Sequence, residues 1–428
     1  MVHLKQSEFA FAGQARLTPR GRQIISEIKA FKEFGKRTVV SELTYQSQSN
    51  RESRLPVFIN EFWTSKQRAA SSLHEISYRA CFKPQLPAFF IKRLSNPGDL
   101  VHDPFMGRGT TPLEAGLHGR KATGSDINPI CAMMARPRFA PPTLAAIEQR
   151  LHSIPFSRYL RAPKDLLVFY YPDTLNELAA LRQYLLDREA EGELDAVDDW
   201  IRMVALNRLT GHSTGFFSVY TLPPNQATSV VAQKRINSAR NQTPPRRDVR
   251  AILLKKSRQL IKELAPTDLG MLRKAISKPG LFTANAWETP RIPSQSVTVV
   301  VTSPPFLNTV SYSDDNWLRC WFAGLDVKSI RITQTSSVDG WQAAMTRVFK
   351  ELARVLTQDG FIAFEVGEVQ RGRVRLEELT IPCALEAGLH PLLLLINDQS
   401  FTKTAHCWGV SNNSGGTNTN RVLLLQKP

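Results

Sequence analysis

Cysteine is scarce in this chain of 428 residues: there are five, and no two form a CxxC pair. That scarcity argues against a zinc ribbon and against a disulfide scaffold, and it fits a reducing cytosol. There is no apolar run of about 18 residues, and the amino-terminal stretch has no apolar core of the signal-peptide kind. The sequence therefore predicts a cytoplasmic protein without a bound metal.

Acidic residues are outnumbered by basic ones, 38 Asp and Glu against 55 Lys and Arg, so the formal net charge is +17. Such an excess favours a polyanionic partner, most often nucleic acid. The alternative is a generally basic protein with no such partner. The hydrophobic content of 42% is ordinary for a globular protein.

Short apolar strands alternate with amphipathic helices in two parts of the chain, residues 61–140 and 281–428. This alternation predicts an α/β fold with an open, mostly parallel sheet, in which ligands bind at the carboxyl ends of the strands. Residues 1–60 form a basic amino-terminal region. Residues 141–280 form a helical, basic insert between the two sheet-forming parts.

The stretch "DPFMGRGTT", residues 103–111, is a glycine-bearing turn between a short strand and a helix. Gly107 and Gly109 allow a tight bend and a close approach to a ligand. Asp126 ends the following strand, where a carboxylate can bind ribose hydroxyls. The acidic Asp103 and the missing third glycine disfavour a pyrophosphate and favour a cationic cofactor, S-adenosylmethionine.

A second unusual stretch is "TSPPF", residues 302–306, which follows an apolar strand. The two prolines restrict the backbone, so that neighbouring carbonyl groups are held in place. The aromatic ring after them offers a stacking face. Read alone, the same stretch is equally typical of a turn that ends a strand.

Together these motifs resemble the amino-group DNA methyltransferases. The resemblance extends to "HEISYRACFKPQLPAFFIKRL" at residues 74–94 and to the closing segment, residues 402–426. It covers residues 61–140 and 281–428, and it implies the Rossmann-like sheet of class I S-adenosylmethionine-dependent methyltransferases with the insert added to it. The implied cofactor-binding residues are Asp103, Pro104, Phe105, Gly107, Gly109, Thr110, Thr111, Asp126 and Asn285, and the implied catalytic residues are Ser303, Pro304, Pro305 and Phe306.

The resemblance implies methylation of an exocyclic amine in double-stranded DNA after base flipping. In that family Ser-Pro-Pro is typical of enzymes that act on N4 of cytosine, whereas Asp- or Asn-Pro-Pro is typical of those that act on N6 of adenine. The family also implies a cognate restriction endonuclease and a location with the nucleoid. Three alternatives stay open: an N6-adenine methyltransferase, an RNA methyltransferase, and a catalytically silent nucleic-acid-binding protein.

DNA recognition is predicted in the insert, because residues 231–260 contain nine Lys or Arg and one acid, Asp248. Arginine and lysine serve phosphate contact, and arginine also reads guanine. A solvated helical face is the alternative. The candidate DNA-binding residues are Lys234, Arg235, Arg240, Arg246, Arg247 and Arg250.

Other residues have less specific patterns. Glu365 lies near the end of a predicted strand. It either contacts the cofactor or caps the edge of the sheet. Pro382-Cys383 resembles the nucleophile of C5-cytosine methyltransferases, but the surrounding pattern predicts a helix. Trp317 and Trp321, four residues apart, fit the core-facing side of a helix.

Overall fold

The computed structural model describes residues 17–47, 51–64, 70–79, 81–158, 162–221, 228–306, 312–330, 337–369, 374–398 and 419–428. Its strands are β1 (Val39–Gln46), β2 (Glu52–Asn60), β3 (Leu100–Asp103), β4 (Lys121–Asp126), β5 (Ile276–Thr283), β6 (Val297–Thr302), β7 (Leu356–Val366), β8 (Glu368–Val369), β9 (Val374–Arg375), β10 (His390–Asp398) and β11 (Thr419–Gln426).

Thirteen α-helices lie in the same ranges. They are α1 (Pro19–Lys29), α2 (Gln85–Leu94), α3 (Thr110–Leu117), α4 (Pro129–Ala135), α5 (Leu144–Ser153), α6 (Pro172–Ala190), α7 (Ala196–Arg208), α8 (Val230–Ala239), α9 (Val249–Ile261), α10 (Pro266–Ala275), α11 (Tyr312–Ala323), α12 (Val338–Val355) and α13 (Leu376–Glu386). The strands predicted around residues 100, 121, 299, 361, 393 and 423 are confirmed, as are the helices predicted in the insert.

Nine strands form one sheet in the order β1-β2-β10-β11-β7-β6-β3-β4-β5. Strands β5, β4, β3, β6 and β7 are parallel neighbours, and β11 is antiparallel to both β7 and β10. One antiparallel strand, β11, thus stands beside a run of five parallel strands, in agreement with the mostly parallel α/β sheet that the sequence predicts. The predicted fold class is confirmed.

The central strands are apolar on both faces because helices cover both sides of the sheet. In β6, Val299 and Val301 pack in one hydrophobic cluster, while Val297 and Val300 pack in the other. Helix α3 packs against both α2 and α10, and α12 packs against α13. This double burial explains why the strand sequence "VTVVVT" is a continuous apolar run rather than an alternating pattern.

The insert packs against the sheet-forming part around α7. Trp200 of this helix is fully buried, and its Nε1 donates a hydrogen bond to Ser257 Oγ of α9 at 3.0 Å. Helix α7 also contacts α4 and α11, so that its buried side chains belong to the same cluster as those of β3 and β6.

The amino-terminal region contributes structure to the sheet. Helix α1 buries Ile24 and Ile28, and the hairpin of β1 and β2 joins the edge through parallel pairing of β2 with β10. No helix in the described ranges is both long enough and apolar enough to cross a membrane. Within the same ranges, no group of three or more His, Cys, Asp or Glu residues is arranged to hold a metal ion.

Gly109 allows a test of how tightly the turn after β3 is packed. Its φ is +76°, and an added Cβ would lie 2.7 Å from Ala135 Cβ. We expect Gly109→Ala to lower the free energy of unfolding by about 2–5 kcal/mol, the sum of a left-handed backbone cost and overpacking. Urea denaturation measures this loss.

Gly192→Ala is the matched control. Gly192 has a φ of +72°, but nothing lies within 4 Å of the position of an added Cβ. This variant should show only the backbone cost of about 1–2 kcal/mol. Equal losses in the two variants would contradict the tight packing of the turn.

Candidate active site

The predicted cofactor and catalytic motifs meet at one edge of the sheet. Asp103 ends β3, Asp126 ends β4, and Ser303 directly follows β6. Because these strands are parallel neighbours, their carboxyl ends lie side by side. Glu365 lies near the carboxyl end of β7, the next strand along.

Asp126 fixes the glycine turn that follows β3. Its Oδ2 accepts a hydrogen bond from the Gly107 N–H at 2.9 Å, and its Oδ1 accepts from the Asn128 N–H at 2.9 Å. An ionised carboxylate has about four acceptor positions, so this carboxylate keeps further positions for two adjacent hydroxyls. Burial raises the pKa of Asp126.

Two arginines donate hydrogen bonds to backbone carbonyl groups in and around the glycine turn. Arg108 Nη1 donates to the Ile76 carbonyl at 2.7 Å, and the fully buried Arg138 donates to the carbonyls of Arg108 and Leu73. Burial lowers the pKa of Arg138 to about 9. A buried guanidinium needs such acceptors, because an unpaired buried charge is costly.

Asp103 connects the cofactor turn with the catalytic strand. Its Oδ1 accepts from Thr302 Oγ1 at 2.6 Å and from the Phe105 N–H at 3.0 Å. The side chain is 1% exposed, and this burial raises its pKa to about 7. Thr111 Oγ1 donates to the Val301 carbonyl at 3.0 Å, which adds a second bond between α3 and β6.

The predicted catalytic segment, residues 303–306, begins with a serine beside a buried carboxylate. Glu365 Oε1 accepts a hydrogen bond from Asn420 Nδ2 of β11, and the Ser303 hydroxyl is close enough to the Glu365 carboxylate to lower its pKa. Glu365 is 9% exposed, and this burial is the larger effect and raises its pKa. A carboxylate in this place can accept the proton of the serine, whose lone pairs would then be available as acceptors.

The rest of this segment is fixed by packing. Trp341 of α12 is buried, and its Nε1 donates to the Pro305 carbonyl at 3.0 Å. The half-buried Phe306 ring packs on Gly367, where an added Cβ would lie 2.9 Å from Phe306 Cε2. The ring thus rests directly on backbone at the end of β7.

The segment after residue 74 covers the glycine turn. His74 Nε2 forms a 2.6 Å bond with Glu114 Oε1 of α3, and Arg79 pairs with Asp315 of α11 at 2.9 Å. Tyr78 lies against the turn, 3.6 Å from where a Cβ on Gly107 would be. This segment, to which the resemblance extends, therefore lies against the glycine turn.

The remaining predicted cofactor residues lie around the same turn. The Pro104 carbonyl accepts from Ser125 Oγ at 3.5 Å, and Thr110 Oγ1 accepts from Arg108 Nε at 3.2 Å. Asn285 is half-buried and follows Ala284, whose N–H donates to the Asp126 carbonyl at 3.1 Å. All nine residues are therefore at, or directly beside, the carboxyl ends of β3, β4 and β5.

The six predicted DNA-binding residues differ in their surroundings. The Arg240 guanidinium lies 3.9 Å from the centre of the Tyr220 ring, and Arg246 pairs with Asp173 at 3.4 Å. Lys234 and Arg235 are exposed on α8.

The other two arginines of this set lie in or just before α9. Arg247 is half-buried, and its N–H donates to Thr174 Oγ1 at 2.8 Å. Arg250 is exposed, but its guanidinium lies 4.5 Å from the centre of the Phe156 ring.

The surroundings of two further candidates, Cys383 and Trp317, indicate a role in packing. Cys383 is buried in α13, and burial raises the pKa of its thiol, the opposite of what a nucleophile needs. Trp317 packs against the core, as predicted, and its Nε1 donates to the Thr228 carbonyl at 3.3 Å. Residues 402–418 of the predicted closing segment lie outside the described residues.

Sequence reasoning did not assign roles to Asn420 or Trp341. Asn420 is 55 residues from Glu365, and Trp341 is 36 residues from Pro305. The pattern around Trp341 is that of an amphipathic helix, so nothing in it distinguishes this tryptophan from a core residue. For Glu365 the signal was its place near the end of an apolar strand, which left its partner unknown.

A protein family described as DNA methylase matches residues 16–136 of this chain. The matched part includes the "DPFMGRGTT" turn, β4 and Asp126. The predicted resemblance to amino-group DNA methyltransferases is confirmed by this match, which also supports S-adenosylmethionine as the cofactor.

Two individual proteins illustrate the similarity. The chain is 39% identical over 72 residues, 17% of its length, to the type II methyltransferase M.MjaII of Methanocaldococcus jannaschii, and the match covers 14% of that protein. It is 43% identical over 60 residues, 14% of its length, to the orphan methyltransferase M.BamHII of Bacillus amyloliquefaciens, of which 23% is covered. The matches thus span less than a quarter of these relatives.

Among solved structures, the rRNA methyltransferase aviRa of Streptomyces viridochromogenes aligns with 86% of this chain and 92% of its own, at 11% identity and a TM-score of 0.32. A likeness of this strength carries no inference about substrate.

The raised pKa of Asp103 predicts a pH-dependent cofactor affinity. The carboxyl gains its charge as the pH rises through about 7, and S-adenosylmethionine carries a cationic sulfonium. We therefore expect cofactor affinity to increase over that range, measured by calorimetry. Asp103→Asn should bind the cofactor more weakly, by about 1–3 kcal/mol, and should lose most of the pH dependence.

The Asp103 carboxyl group also makes the folding stability depend on pH, in the direction opposite to that of the cofactor affinity. Because the pKa of Asp103 in the folded protein, about 7, exceeds its ordinary value of 3.8, the cofactor-free protein should lose stability as the pH rises between these two values. Asp165→Asn, at an exposed position in the insert, is the control and should keep both slopes. An Asp103→Asn protein with an unchanged affinity profile would contradict this role for Asp103.

Proposed function

We propose that this chain is a site-specific DNA methyltransferase that transfers the methyl group of S-adenosylmethionine to the exocyclic N4 of cytosine in double-stranded DNA. The observation that carries the proposal is the position of Ser303 beside the buried Glu365, on the sheet edge that also holds Asp103 and Asp126. A buried carboxylate there can take the serine proton, so that the hydroxyl acts as a hydrogen-bond acceptor beside a site suited to a cationic nucleoside cofactor.

An exocyclic amine is a poor nucleophile because its lone pair is delocalised into the ring. Acceptors around its hydrogens favour a more tetrahedral nitrogen and so free the lone pair. We assign the role of these acceptors to Ser303 Oγ and to the Pro304 carbonyl. The restricted backbone of Pro304 and Pro305 holds this carbonyl in place before the base arrives. Trp341 fixes the neighbouring Pro305 carbonyl, so the backbone at this point is constrained on both sides.

The proton of the amine must leave when the new N–C bond forms. We propose that it passes to Ser303 while the serine proton passes to Glu365, so that the serine ends unchanged and the carboxylate ends protonated. The raised pKa of Glu365 makes it a better proton acceptor than an ordinary carboxylate. Solvent then removes the proton and restores the starting state.

The cytosine must leave the helical stack, because its amine cannot be reached inside a duplex. Phe306 is the proposed stacking surface for the flipped base. The backbone of Gly367 behind the ring gives it a rigid support. A tyrosine at this position, common in the family, would keep the same face.

The cofactor supplies an electrophilic methyl sulfonium. For its binding we propose Asp126 and Asn285 on the nucleoside side, and Asp103 with the Gly107–Gly109 turn on the methionine side. Pro104, Phe105, Thr110 and Thr111 are proposed to shape the same pocket. The remaining acceptor capacity of Asp126 and the two glycines of the turn, which carry no side chain, fit such a ligand.

The choice of cytosine rests on Ser303, because an Asp or Asn is usual at this position in enzymes that methylate adenine. Residues 61–140 and 281–428 are proposed to form the catalytic domain, and residues 141–280 the target-recognition region. The proposed location is the cytoplasm, with the nucleoid DNA, where a cognate restriction endonuclease would be the functional counterpart.

The test of this function is the identity of the methylated base. Purified protein is incubated with duplex DNA and isotope-labelled S-adenosylmethionine, and the DNA is digested to nucleosides for mass spectrometry. We expect the label in N4-methylcytosine. Label in N6-methyladenine would replace the cytosine assignment, label at cytosine C5 would overturn the mechanism, and label only in an RNA substrate would overturn DNA as the substrate.

Two variants test the proton path. Ser303→Ala should lower the single-turnover rate about 100-fold or more, and Glu365→Gln about tenfold or more, with little change in the binding of DNA or cofactor. Glu378→Gln, on the exposed surface of α13, is the control and should keep the wild-type rate. A Glu365→Gln enzyme with an unchanged rate would remove Glu365 from the reaction.

A further inference from the structure

One face of α8 carries exposed side chains that form a single stripe. Val231, Lys234, Arg235 and Ser238 are all exposed, and their i, i+3, i+4, i+7 spacing puts them on the same side of the helix. Val231 is 60% exposed, more than any other large hydrophobic side chain in the described ranges. We call these four residues the α8 face.

The opposite side of α8 is held by the rest of the insert. Gln233 is fully buried, and its Nε2 donates to the Tyr220 carbonyl at 3.0 Å. Asn237 Nδ2 donates to the Val168 carbonyl at 2.8 Å. The helix is therefore fixed in orientation, and the α8 face points to solvent.

The two cations of the α8 face have no charge or ring partner in the described part of the chain, unlike the arginines that follow them. Arg240 stacks on Tyr220, Arg246 pairs with Asp173, and Arg250 packs on Phe156. No acidic residue occurs from residue 229 to residue 247. The α8 face is thus a local positive surface whose charges are not neutralised by the residues that the structure describes.

The start of α8 is joined to α11. Thr228, two residues before α8, accepts a hydrogen bond from Trp317 Nε1 of α11 at 3.3 Å, and the Trp317 ring contacts Phe169. In chain order α11 is the helix that follows Ser303–Phe306. The α8 face is therefore on a helix that contacts the element following the predicted catalytic residues.

From these observations we infer that the α8 face contacts the duplex beside the target base, with Lys234 and Arg235 on backbone phosphates and Val231 against the edge of a groove. The inference rests on the proposed function, since it takes double-stranded DNA as the substrate. Phosphates fit long, unpaired cations, and an exposed apolar side chain fits sugar carbons or a thymine methyl group. Arg240, Arg246 and Arg250 then serve the structure of the insert rather than DNA contact.

The test compares two charge-reversed double variants of equal net charge. Lys234→Glu with Arg235→Glu changes the α8 face. Arg273→Glu with Lys274→Glu changes an exposed pair in the last turn of α10, directly before β5. Because β5 is parallel to β4, this control pair lies at the amino ends of the strands, away from the candidate active site.

Binding of a fluorescent duplex is measured at a series of salt concentrations. We expect the α8 variant to bind at least about tenfold more weakly, and its slope of log K against log salt to be smaller by about two. Cofactor affinity should be unchanged. The α10 variant should keep the wild-type slope.

The outcomes separate this inference from the proposed function. An unaltered slope in the α8 variant, or equal losses in the two variants, overturns the role of the α8 face while leaving methylation intact. In another outcome, the wild-type protein methylates no base while the two double variants still show the predicted salt slopes. That result overturns the proposed function and supports DNA binding by the α8 face. Preferential binding of a duplex RNA of the same sequence, lost in the α8 variant, would overturn DNA as its partner.

Discussion

The hydrogen bond between Thr302 and Asp103 joins the two halves of the candidate active site. It connects the ends of β3 and β6, strands that are about 200 residues apart in the chain and neighbours in the sheet. Parallel pairing sets both carboxyl ends at the same level, and the 2.6 Å bond fixes the cofactor turn relative to the catalytic segment. Methyl transfer requires the donor and acceptor groups to be held in this way, because small misplacements are costly in rate.

Around this junction, buried polar groups hold backbone that has no regular secondary structure. Arg138 and Arg108 bond to carbonyls beneath the glycine turn, and Trp341 bonds to the carbonyl of Pro305. These hydrogen bonds give partners to backbone carbonyl groups that an irregular turn would otherwise leave buried and unpaired. The cost is a set of buried ionisable groups with shifted pKa values, notably Asp103, Asp126 and Glu365. Such clusters are typical of active sites.

In the insert, the amino-acid composition and the tertiary structure give different information about the basic residues. Its excess of basic residues correctly indicates a positive region, but neighbouring arginines have different uses. Arg240 is occupied by an aromatic ring, whereas Arg235, five residues earlier, is exposed on a fixed helix. Helical phase and the position of Tyr220 make this difference, and neither is visible in the charge pattern. The hairpin of β1 and β2 was not predicted either, because β1 is largely exposed and the buried run of β2, residues 55–58, contains Pro56, which is unusual within a strand.

The sequence by itself determined the parallel core, the glycine turn and the proline segment, because these depend on local patterns: apolar runs for strands buried on both faces, glycine where φ is positive, and proline where φ is fixed. It also determined that Asp103, Asp126 and Ser303 share one edge, since parallel strands align their carboxyl ends. Only the tertiary structure decided that Ser303 lies beside Glu365, that Asn420 and Trp341 donate hydrogen bonds at the same edge, and which basic side chains of the insert have a partner among the described residues. These contacts join residues tens of positions apart, and their formation depends on strand register and helix packing, which no local pattern encodes.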